Sequence, residues 1–532
     1  MNQFDIVVGG GGINGLSAAA YLTKAGLNVC VLEHQAYLGG GCWSMEDPVV
    51  PGVIHDPCAT VHALIQYNPL IANDELGLKS KYGLKYIMPD AIGTHLFPEK
   101  GLAIILWRDL DRMLQEIAEK LGQREADNYK RLYDFLLPAA SMMVPGLFSP
   151  PAPYASIVTV FDEAGEFGQE INRMMQMSAW DNVCEWLETD EMREVLARFL
   201  SEMMISPYEM GTGAAFISAL SLIHTHGTPI AEGGSQALPD ALGRFIRDNG
   251  GTIRTGVTVK SIQVSGGAAK AFVLDDGEVI EGTKGLFSTF HVKQLFGEGG
   301  MVDGNLLSDG FKRRVKNLRF SDYMALNQHI VLKEPPRYKL LAGQPNPGLG
   351  TEQCHGPVEF RRFFNGMSVG EPSPADSPMS LCSSQFDPTR SLHGEHTLYL
   401  YSFEPWDLYG DSKNWDKYGQ EIADQKLEAL RAVCTNMGDD NILNRFFHTP
   451  LDYAREKPSW LHGDFCHISQ SIDQNLGGRP TQAMSRYKCP IERLYVGGAS
   501  AYPGPTITGG GRAQAQVVFE DLGIDFDDVI GG

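Results

Sequence analysis

The hydrophobic pattern of the first forty residues predicts a βαβ unit that contains a glycine-rich turn. Residues 4–8 form an apolar run typical of a buried parallel strand. Residues 13–25 then place apolar side chains at helical spacing, and Gly26 provides a common helix stop. A second apolar run at residues 28–32 predicts the next strand. Strand, turn, helix and strand therefore follow one another directly.

The rest of the chain separates into a helical region and two regions with strand patterns. Residues 100–224 show amphipathic helical spacing, with Leu106 and Leu110 predicted on one face. Residues 252–274 alternate apolar and polar side chains, as half-buried strands do. Residues 320–480 combine strand patterns with one charged helix. The pattern as a whole predicts an α/β protein.

The glycines between the first strand and the first helix have the spacing of a dinucleotide-binding turn. Gly10 permits a tight turn, Gly12 lets the backbone approach a pyrophosphate, and Gly15 lets the helix pack close to the strand. The helix N-terminus then favours the bound anion. Glu33 is placed to accept hydrogen bonds from a ribose diol. The predicted cofactor contacts of this unit are Gly10, Gly12, Ile13, Asn14, Gly15 and Glu33.

The composition is that of an ordinary globular protein with an acidic surface. The 532 residues include 44 Lys and Arg against 65 Asp and Glu, a net charge of −21, which argues against a nucleic-acid partner. The nine cysteines contain no Cys-x-x-Cys pair, so we expect neither a redox disulfide nor a metal site. With no signal-peptide pattern and no apolar stretch long enough to span a bilayer, we expect a cytoplasmic protein.

The segment after the second strand resembles a particular group of flavoproteins. Glu33 and residues 39–40 are similar to the E-x5-GG extension of FAD-dependent amine oxidases and phytoene-type desaturases. Gly41 stands where these families usually have arginine, which implies the loss of one phosphate-facing cation. The turn that begins at Gly497 resembles the C-terminal flavin motif of phytoene desaturase-like oxidoreductases, with Tyr502 at the usual histidine position.

Three further segments fit the same family in the same order. Residues 227–238 resemble its G-x-P-x-x-GG-x3-L block, and residues 250–259 resemble the strand whose backbone usually holds the adenine. Residues 463–480 resemble the H-x5-DQ-x4-RP run of the pyridine nucleotide-disulphide oxidoreductase domain 2-like branch. The resemblance implies bound FAD, with these additional contacts: His34, Gly39, Gly40, Gly41, Val259, Gly498, Ala499, Pro503 and Thr508.

The resemblance also implies the domain organisation. It implies a Rossmann-type FAD-binding domain, similar to that of glutathione reductase, which is discontinuous and built from residues 1–95, 225–315 and 480–532. Residues 100–224 are expected to form a helical cap over the substrate. Residues 316–479 are expected to form a mixed β-sheet domain that binds the substrate.

The family resemblance implies an oxidoreductase whose flavin accepts a hydride at N5 from a C–H bond. The leading hypothesis is an FAD-dependent dehydrogenase, or desaturase, that oxidises C–C bonds of a largely apolar substrate, which is isoprenoid, carotenoid-like or alicyclic. The alternatives are a flavin amine oxidase acting on C–N bonds and an FAD-bound interaction protein with little turnover. Because the chain has one dinucleotide fingerprint and no redox cysteine pair, we expect a diffusible electron acceptor, oxygen or a quinone.

Three residues are candidates for proton transfer near the flavin. Tyr502 departs from the family histidine, and it either acts on the substrate or only walls the flavin. His55, beside Asp56, and His224, just before Gly227, lie where the family chain passes the flavin. A histidine in such a place is either a base or a hydrogen-bonded structural group.

Residues 135–148 raise the question of a peripheral membrane contact. The segment is apolar, and Pro138 and Pro145 are expected to interrupt it. It is therefore either a lip that touches a membrane or an apolar connection buried between helices. The sequence also leaves a homo-oligomer open.

Overall fold

The computed structural model describes residues 2–505 and 507–531, which build two seven-stranded sheets and the helices around them. In the first sheet, Gln3–Gly9 pairs in parallel with both of its neighbours, as the βαβ pattern predicts. The strands of this sheet, in spatial order, are Val259–Ser265, Ala268–Leu274, Val279–Ser288, Gln3–Gly9, Val29–Leu32 and Thr252–Arg254, with Leu494–Val496 added beside Val279–Ser288. All of them lie within the three chain segments expected to form the cofactor domain.

The second sheet is mostly antiparallel. Its strands, in spatial order, are Ile442–His448, Met324–Leu332, His396–Glu404, Met379–Leu381, Gly348–Gln353, Ala91–Phe97 and Leu102–Trp107. The pair Gly348–Gln353 and Ala91–Phe97 is parallel. Three short two-stranded ribbons are separate from the large sheets: Met45–Glu46 with Ile54–His55, Tyr86–Ile87 with Ile230–Ala231, and Arg337–Tyr338 with Gln344–Pro345.

Two strands of the second sheet correct the expected domain boundaries. The predicted end of the first segment, at residue 95, falls inside Ala91–Phe97, and Leu102–Trp107 lies in the region expected to be a helical cap. Leu106 is therefore part of a strand and not of a helix face. The helix begins only after Asp109, whose side chain accepts a hydrogen bond from the Arg112 N–H and caps it.

Helices cover both sheets and form the layer between residues 110 and 225. The α-helices are Ile13–Lys24, Pro69–Ala72, Leu110–Leu121, Gln123–Gly146, Tyr154–Glu163, Glu166–Gln176, Ala179–Trp186, Asp190–Ser201, Gly213–Thr225, Ala237–Asp248, Val292–Phe296, Asp309–Lys316, Pro357–Ser368, Asn414–Val433, Pro450–Glu456, Gly511–Leu522 and Phe526–Gly531. The layer has its own apolar core, which includes Met174 and Met175 and continues onto Leu106 and Trp107 of the second sheet.

Residues 135–148 lie mainly in one long helix, which corrects the expected interruption. Gln123–Gly146 continues through Pro138, with one face buried in the cap. On the other face, Leu137 is 38% and Met142 is 47% exposed. Contact of this face with a membrane stays a prediction. Among the described residues, no helix is both long enough and apolar enough to cross a bilayer.

Candidate functional site

The two glycine-rich turns, from opposite ends of the chain, meet in the structure. The side-chain oxygen of Asn14 accepts a hydrogen bond from the Gly510 N–H at 2.9 Å. The helices that follow the turns, Ile13–Lys24 and Gly511–Leu522, are in close contact, because a Cβ at Gly511 would lie 2.1 Å from Asn14 O. The N-terminal and C-terminal motifs therefore form one site.

Gly12 leaves the N-terminus of the first helix open to a ligand. A Cβ at Gly12 would have only Gly40 Cα and Gly39 O as neighbours, at 3.8 and 4.0 Å, so a side chain there would enter free space. In the part of the chain that the structure describes, no side chain caps Ile13–Lys24. Gly10, with φ of +101°, has a backbone conformation that favours glycine. The free N–H groups and the helix dipole favour an anion, so the turn fits the pyrophosphate of a dinucleotide.

Glu33 follows the second strand and closes this part of the site. Its carboxylate accepts hydrogen bonds from the N–H groups of Gly11 and Gln35, both at 2.7 Å. His34 Nδ1 lies 2.9 Å from Thr258 Oγ1. The two backbone donors hold the Glu33 carboxylate in place, and its remaining lone pairs are available to a ribose diol.

One continuous cavity of about 520 Å³ joins these turns to the second sheet. We call its two parts the nucleotide end and the inner end. Of the predicted cofactor contacts, those that line the cavity are Gly10, Gly12, Ile13, Asn14, Gly15, Glu33, His34, Gly39, Gly40, Gly41, Val259, Gly498 and Ala499. The inner end is lined mainly by Leu106, Phe199, Leu349, Met379, Leu381, Tyr399 and Tyr401, together with His95, Glu202 and Glu352. A dinucleotide-binding turn thus opens into a mostly apolar compartment.

Pro503 and Thr508 shape the C-terminal turn and do not line the cavity. Thr508 Oγ1 accepts a hydrogen bond from the Gly510 N–H at 3.2 Å. A Cβ at Gly510 would lie 2.8 Å from Pro503 Cδ, so the two residues are in close contact. Both side chains pack within the turn, and their contact with the cofactor stays a prediction.

Tyr502 also lies away from the cavity. Its hydroxyl donates a hydrogen bond to the carbonyl of Gly146 at 3.1 Å, at the end of a cap helix. Its ring packs in a small core with Tyr487 and Val517. Burial raises the pKa of Tyr502. The hydroxyl satisfies a carbonyl at a helix end, and the role of Tyr502 as a flavin-facing acid or base stays a prediction.

His55 is buried and His224 is half-buried, and neither is among the residues that line the cavity. His55 Nε2 lies 3.0 Å from Asp47 Oδ2. Although burial alone raises the pKa of Asp47, hydrogen bonds from His55 and from backbone N–H groups lower it to about 2. The His224 ring lies between the Tyr129 hydroxyl, at 2.7 Å, and the Arg108 carbonyl, at 3.0 Å. Hydrogen bonds within the protein hold both rings, which fits the structural alternative, and their role as bases stays a prediction.

Lys457 is a cation of the nucleotide end that the sequence did not indicate. Its Nζ donates to the Tyr37 hydroxyl at 2.5 Å and lies 3.5 Å from Gly40 O. Burial lowers the pKa of Lys457 to about 8. At Gly41, where the family usually has arginine, a Cβ would lie 3.0 Å from the Trp460 ring. Lys457 is 417 residues from Gly40, so no local pattern reveals it.

The chain is similar to known proteins along nearly its whole length. Residues 7–73 match the NAD(P)-binding Rossmann-like domain. Mouse pyridine nucleotide-disulfide oxidoreductase domain-containing protein 2 is 27% identical, over 98% of this chain and 94% of its own. A limonene dehydrogenase polypeptide of Castellaniella defragrans is 24% identical, over 99% and 96%. The lycopene-forming phytoene desaturase of Pantoea ananas is 22% identical, over 96% and 98%.

Solved structures share the fold. An oxidoreductase from Methanosarcina mazei superposes with a TM-score of 0.59 at 17% identity, over 97% of this chain and 99% of its own. Cyclohexylamine oxidase from Brevibacterium oxydans gives 0.60 at 15% identity, over 98% and 99%. The predicted α/β fold with a Rossmann-type domain is confirmed, and so is the resemblance to phytoene desaturase-like oxidoreductases.

Proposed function

We propose that this oxidoreductase, similar along its whole length to the phytoene desaturase-like enzymes, binds FAD and oxidises C–C bonds of a largely apolar substrate. The observation that supports this function best is the continuous cavity that leads from the glycine turns to the apolar inner end. FAD bound at the nucleotide end supplies a hydride acceptor. Relatives named for limonene and phytoene act, by those names, on apolar molecules.

Residues of the nucleotide end would hold FAD by its dinucleotide part. The open helix N-terminus at Gly12 suits the pyrophosphate, and Glu33 suits the ribose hydroxyls. We assign the missing phosphate-facing cation to Lys457, because Trp460 fills the space beside Gly41 and Lys457 Nζ is held at the Gly40 carbonyl. The charge comes from the second half of the chain, and a side chain at position 41 is not needed.

Residues of the inner end would position the substrate and exclude water. Leu349, Met379 and Leu381 present apolar surface to the cavity. The rings of Tyr399 and Tyr401 are parallel, 5.9 Å apart with an angle of 9° between their planes. Such a wall favours binding of an extended or alicyclic hydrocarbon over binding of a hydrated polar molecule. Electrons would leave to oxygen or a quinone, because the chain has a single dinucleotide fingerprint.

Anaerobic mixing tests the proposal. The purified protein is loaded with FAD and mixed with a polyene precursor, with a cyclic terpene and with a primary amine in separate experiments. Loss of the oxidised flavin absorbance with the apolar compounds, and its return on adding a quinone or air, supports the proposed function. Bleaching by the amine alone would assign C–N oxidation instead. A holoprotein that no compound of either class reduces would contradict an oxidoreductase role.

A further inference from the structure

The mostly apolar lining of the inner end includes one imidazole and two carboxyl groups, and the cavity is also lined by Thr94, Asn327, Tyr399 and Tyr401. Glu202 follows the helix Asp190–Ser201, whereas His95 and Glu352 lie on adjacent strands of the second sheet. All three line the cavity. A pure hydrocarbon cannot form hydrogen bonds with such groups, and a buried polar group without a partner costs free energy. The ligand of this region therefore has a polar group of its own.

The charges of this region argue against an anionic ligand. Arg198 is the cation nearest to the carboxylates, with Nη1 at 3.3 Å from Glu352 Oε1 and Nε at 3.2 Å from Glu194 Oε1. Glu194 also accepts hydrogen bonds from the N–H groups of His355 and Gly356. Arg198 is thus shared between two carboxylates and is not free to bind a carboxylate of a ligand.

Glu202 has no hydrogen-bond partner among the described residues, although its carboxyl borders the cavity. Burial raises the pKa of Glu202 well above its usual value, the negative charge of Glu352 raises it further, and Arg198 opposes this shift. The titratable groups that interact with Glu202 are Glu352, Arg198, Tyr323, Tyr399 and Tyr401. A neutral carboxylic acid both donates and accepts a hydrogen bond.

His95 offers a second unused polar atom. The side chain is only 5% exposed, and its Nδ1 lies 3.5 Å from Glu352 Oε2. Burial, followed by the charge of Arg198, lowers the pKa of His95 to about 3, so the ring is neutral. Nδ1 also lies 3.9 Å from Cys354 Sγ, so the tautomer decides whether Nε2 donates or accepts, and none of the described residues is hydrogen-bonded to Nε2.

A hydroxyl group, which both donates and accepts, matches the Glu202 carboxyl and either tautomer of His95. We propose that the inner end binds the hydroxyl of an otherwise apolar alcohol, which exchanges a hydrogen bond with Glu202, with His95 Nε2 as a second polar atom in the same lining. This inference rests on the proposed FAD-dependent oxidation and defines its substrate class further. The substrate then lies with its hydroxyl at the inner end and its hydrocarbon body between this group and the nucleotide end.

Binding to the reduced holoenzyme tests the inference, since reduced flavin cannot oxidise the ligand. Geraniol, the hydrocarbon with the same skeleton and the corresponding amine are compared by anaerobic equilibrium dialysis. We expect geraniol to bind roughly tenfold more tightly than the hydrocarbon, the ratio expected for one net hydrogen bond. Equal affinities of alcohol and hydrocarbon, or tighter binding of the amine than of the alcohol, would overturn the proposal.

Substitutions assign the preference to Glu202. Glu202→Leu should abolish the preference for geraniol, while Glu202→Gln, which keeps a donor and an acceptor, should retain most of it. Glu359→Leu, at a side chain that is 53% exposed, is the control and should change nothing. FAD binding by each variant verifies the fold. A preference that survives Glu202→Leu overturns the inference. Failure of the oxidised holoenzyme to bleach with any apolar compound counts against the proposed function alone.

Discussion

The two ends of the cavity are built from different parts of the polypeptide. At the nucleotide end the surface is mostly backbone, and the key residue Gly12 contributes free space beside a helix N-terminus. At the inner end the surface is made of side chains, with Glu202 from a cap helix boundary and Tyr401 from the second sheet. Substitutions that add side-chain atoms should therefore impair FAD binding at the nucleotide end. Substitutions that remove side-chain atoms should instead impair substrate binding at the inner end.

The largest effect is expected from Gly12→Val. The new side chain would occupy the space in front of the first helix and displace the pyrophosphate from the free N–H groups. A loss of about 3 kcal/mol in binding would weaken the FAD affinity roughly 100-fold. Fluorescence titration of the apoprotein with FAD measures this affinity. Gly304→Val, at a glycine whose Cβ would meet no atom within 4 Å, is the control. Full FAD affinity in Gly12→Val would show that the cofactor lies elsewhere.

The next effect is expected from Lys457→Met. Loss of the cation should weaken FAD binding roughly tenfold and leave riboflavin binding unchanged, because riboflavin has no phosphate. Lys457→Arg should keep most of the affinity, and Lys413→Met, at an exposed position, serves as the control. Equal losses for FAD and riboflavin would contradict a phosphate contact.

The same lysine predicts a pH dependence. Burial lowers the pKa of free Lys457 to about 8, and a bound anion would raise it. The affinity for FAD should therefore be highest below about pH 8 and fall as the pH rises through that value. FAD binding measured by dialysis across this pH range, for the unchanged protein and for Lys457→Met, checks whether Lys457 is the titrating group. An identical pH profile in the variant would assign the titration to another group.

A smaller effect is expected from Asn14→Ala, which removes the link between the two turns. The Gly510 N–H keeps Thr508 Oγ1 as a weaker partner, so the stability should fall by only about 1 kcal/mol. The temperature at which FAD is released should decrease, whereas Asn305→Ala at an exposed site should leave it unchanged. An unchanged release temperature in Asn14→Ala would mean that the link contributes nothing.

The smallest effect on FAD binding and flavin reduction is expected from Tyr502→Phe. The substitution removes the hydrogen bond to Gly146 and should cost about 1 kcal/mol of stability. The rate of anaerobic flavin reduction should stay within about twofold, since the hydroxyl does not line the cavity. A large decrease in that rate, with a normal FAD content, would support Tyr502 as a catalytic residue.

The nucleotide end was predictable from sequence because its function requires a local backbone conformation. Gly12 and Glu33 lie within one βαβ unit, and the glycine spacing itself reports the turn. The C-terminal turn was recognised through a family motif, and it does meet the first helix at Asn14. Within that motif, the roles of Tyr502 and Thr508 were not predictable, because spacing does not show which side of a turn each side chain faces.

The inner end was not predictable because pairing of distant strands creates it. His95 and Glu352, far apart in the sequence, face each other through the parallel pair of the second sheet, and neither lies in a motif. Likewise, the cap helix was expected to include Leu106, whereas the Asp109 cap and the pairing of Leu102–Trp107 with Ala91–Phe97 select a strand. Local periodicity does not contain these tertiary contacts.

The most direct test of the account is the stoichiometry of FAD bound to the purified chain, measured by absorbance after reconstitution and dialysis. The structure predicts one FAD per chain, because the two glycine turns meet at one open helix N-terminus. It also predicts that Gly12→Val remains folded but retains much less FAD after the same dialysis. An unchanged protein that stays colourless after reconstitution, or a Gly12→Val variant that retains a full complement of FAD, would contradict the central claim.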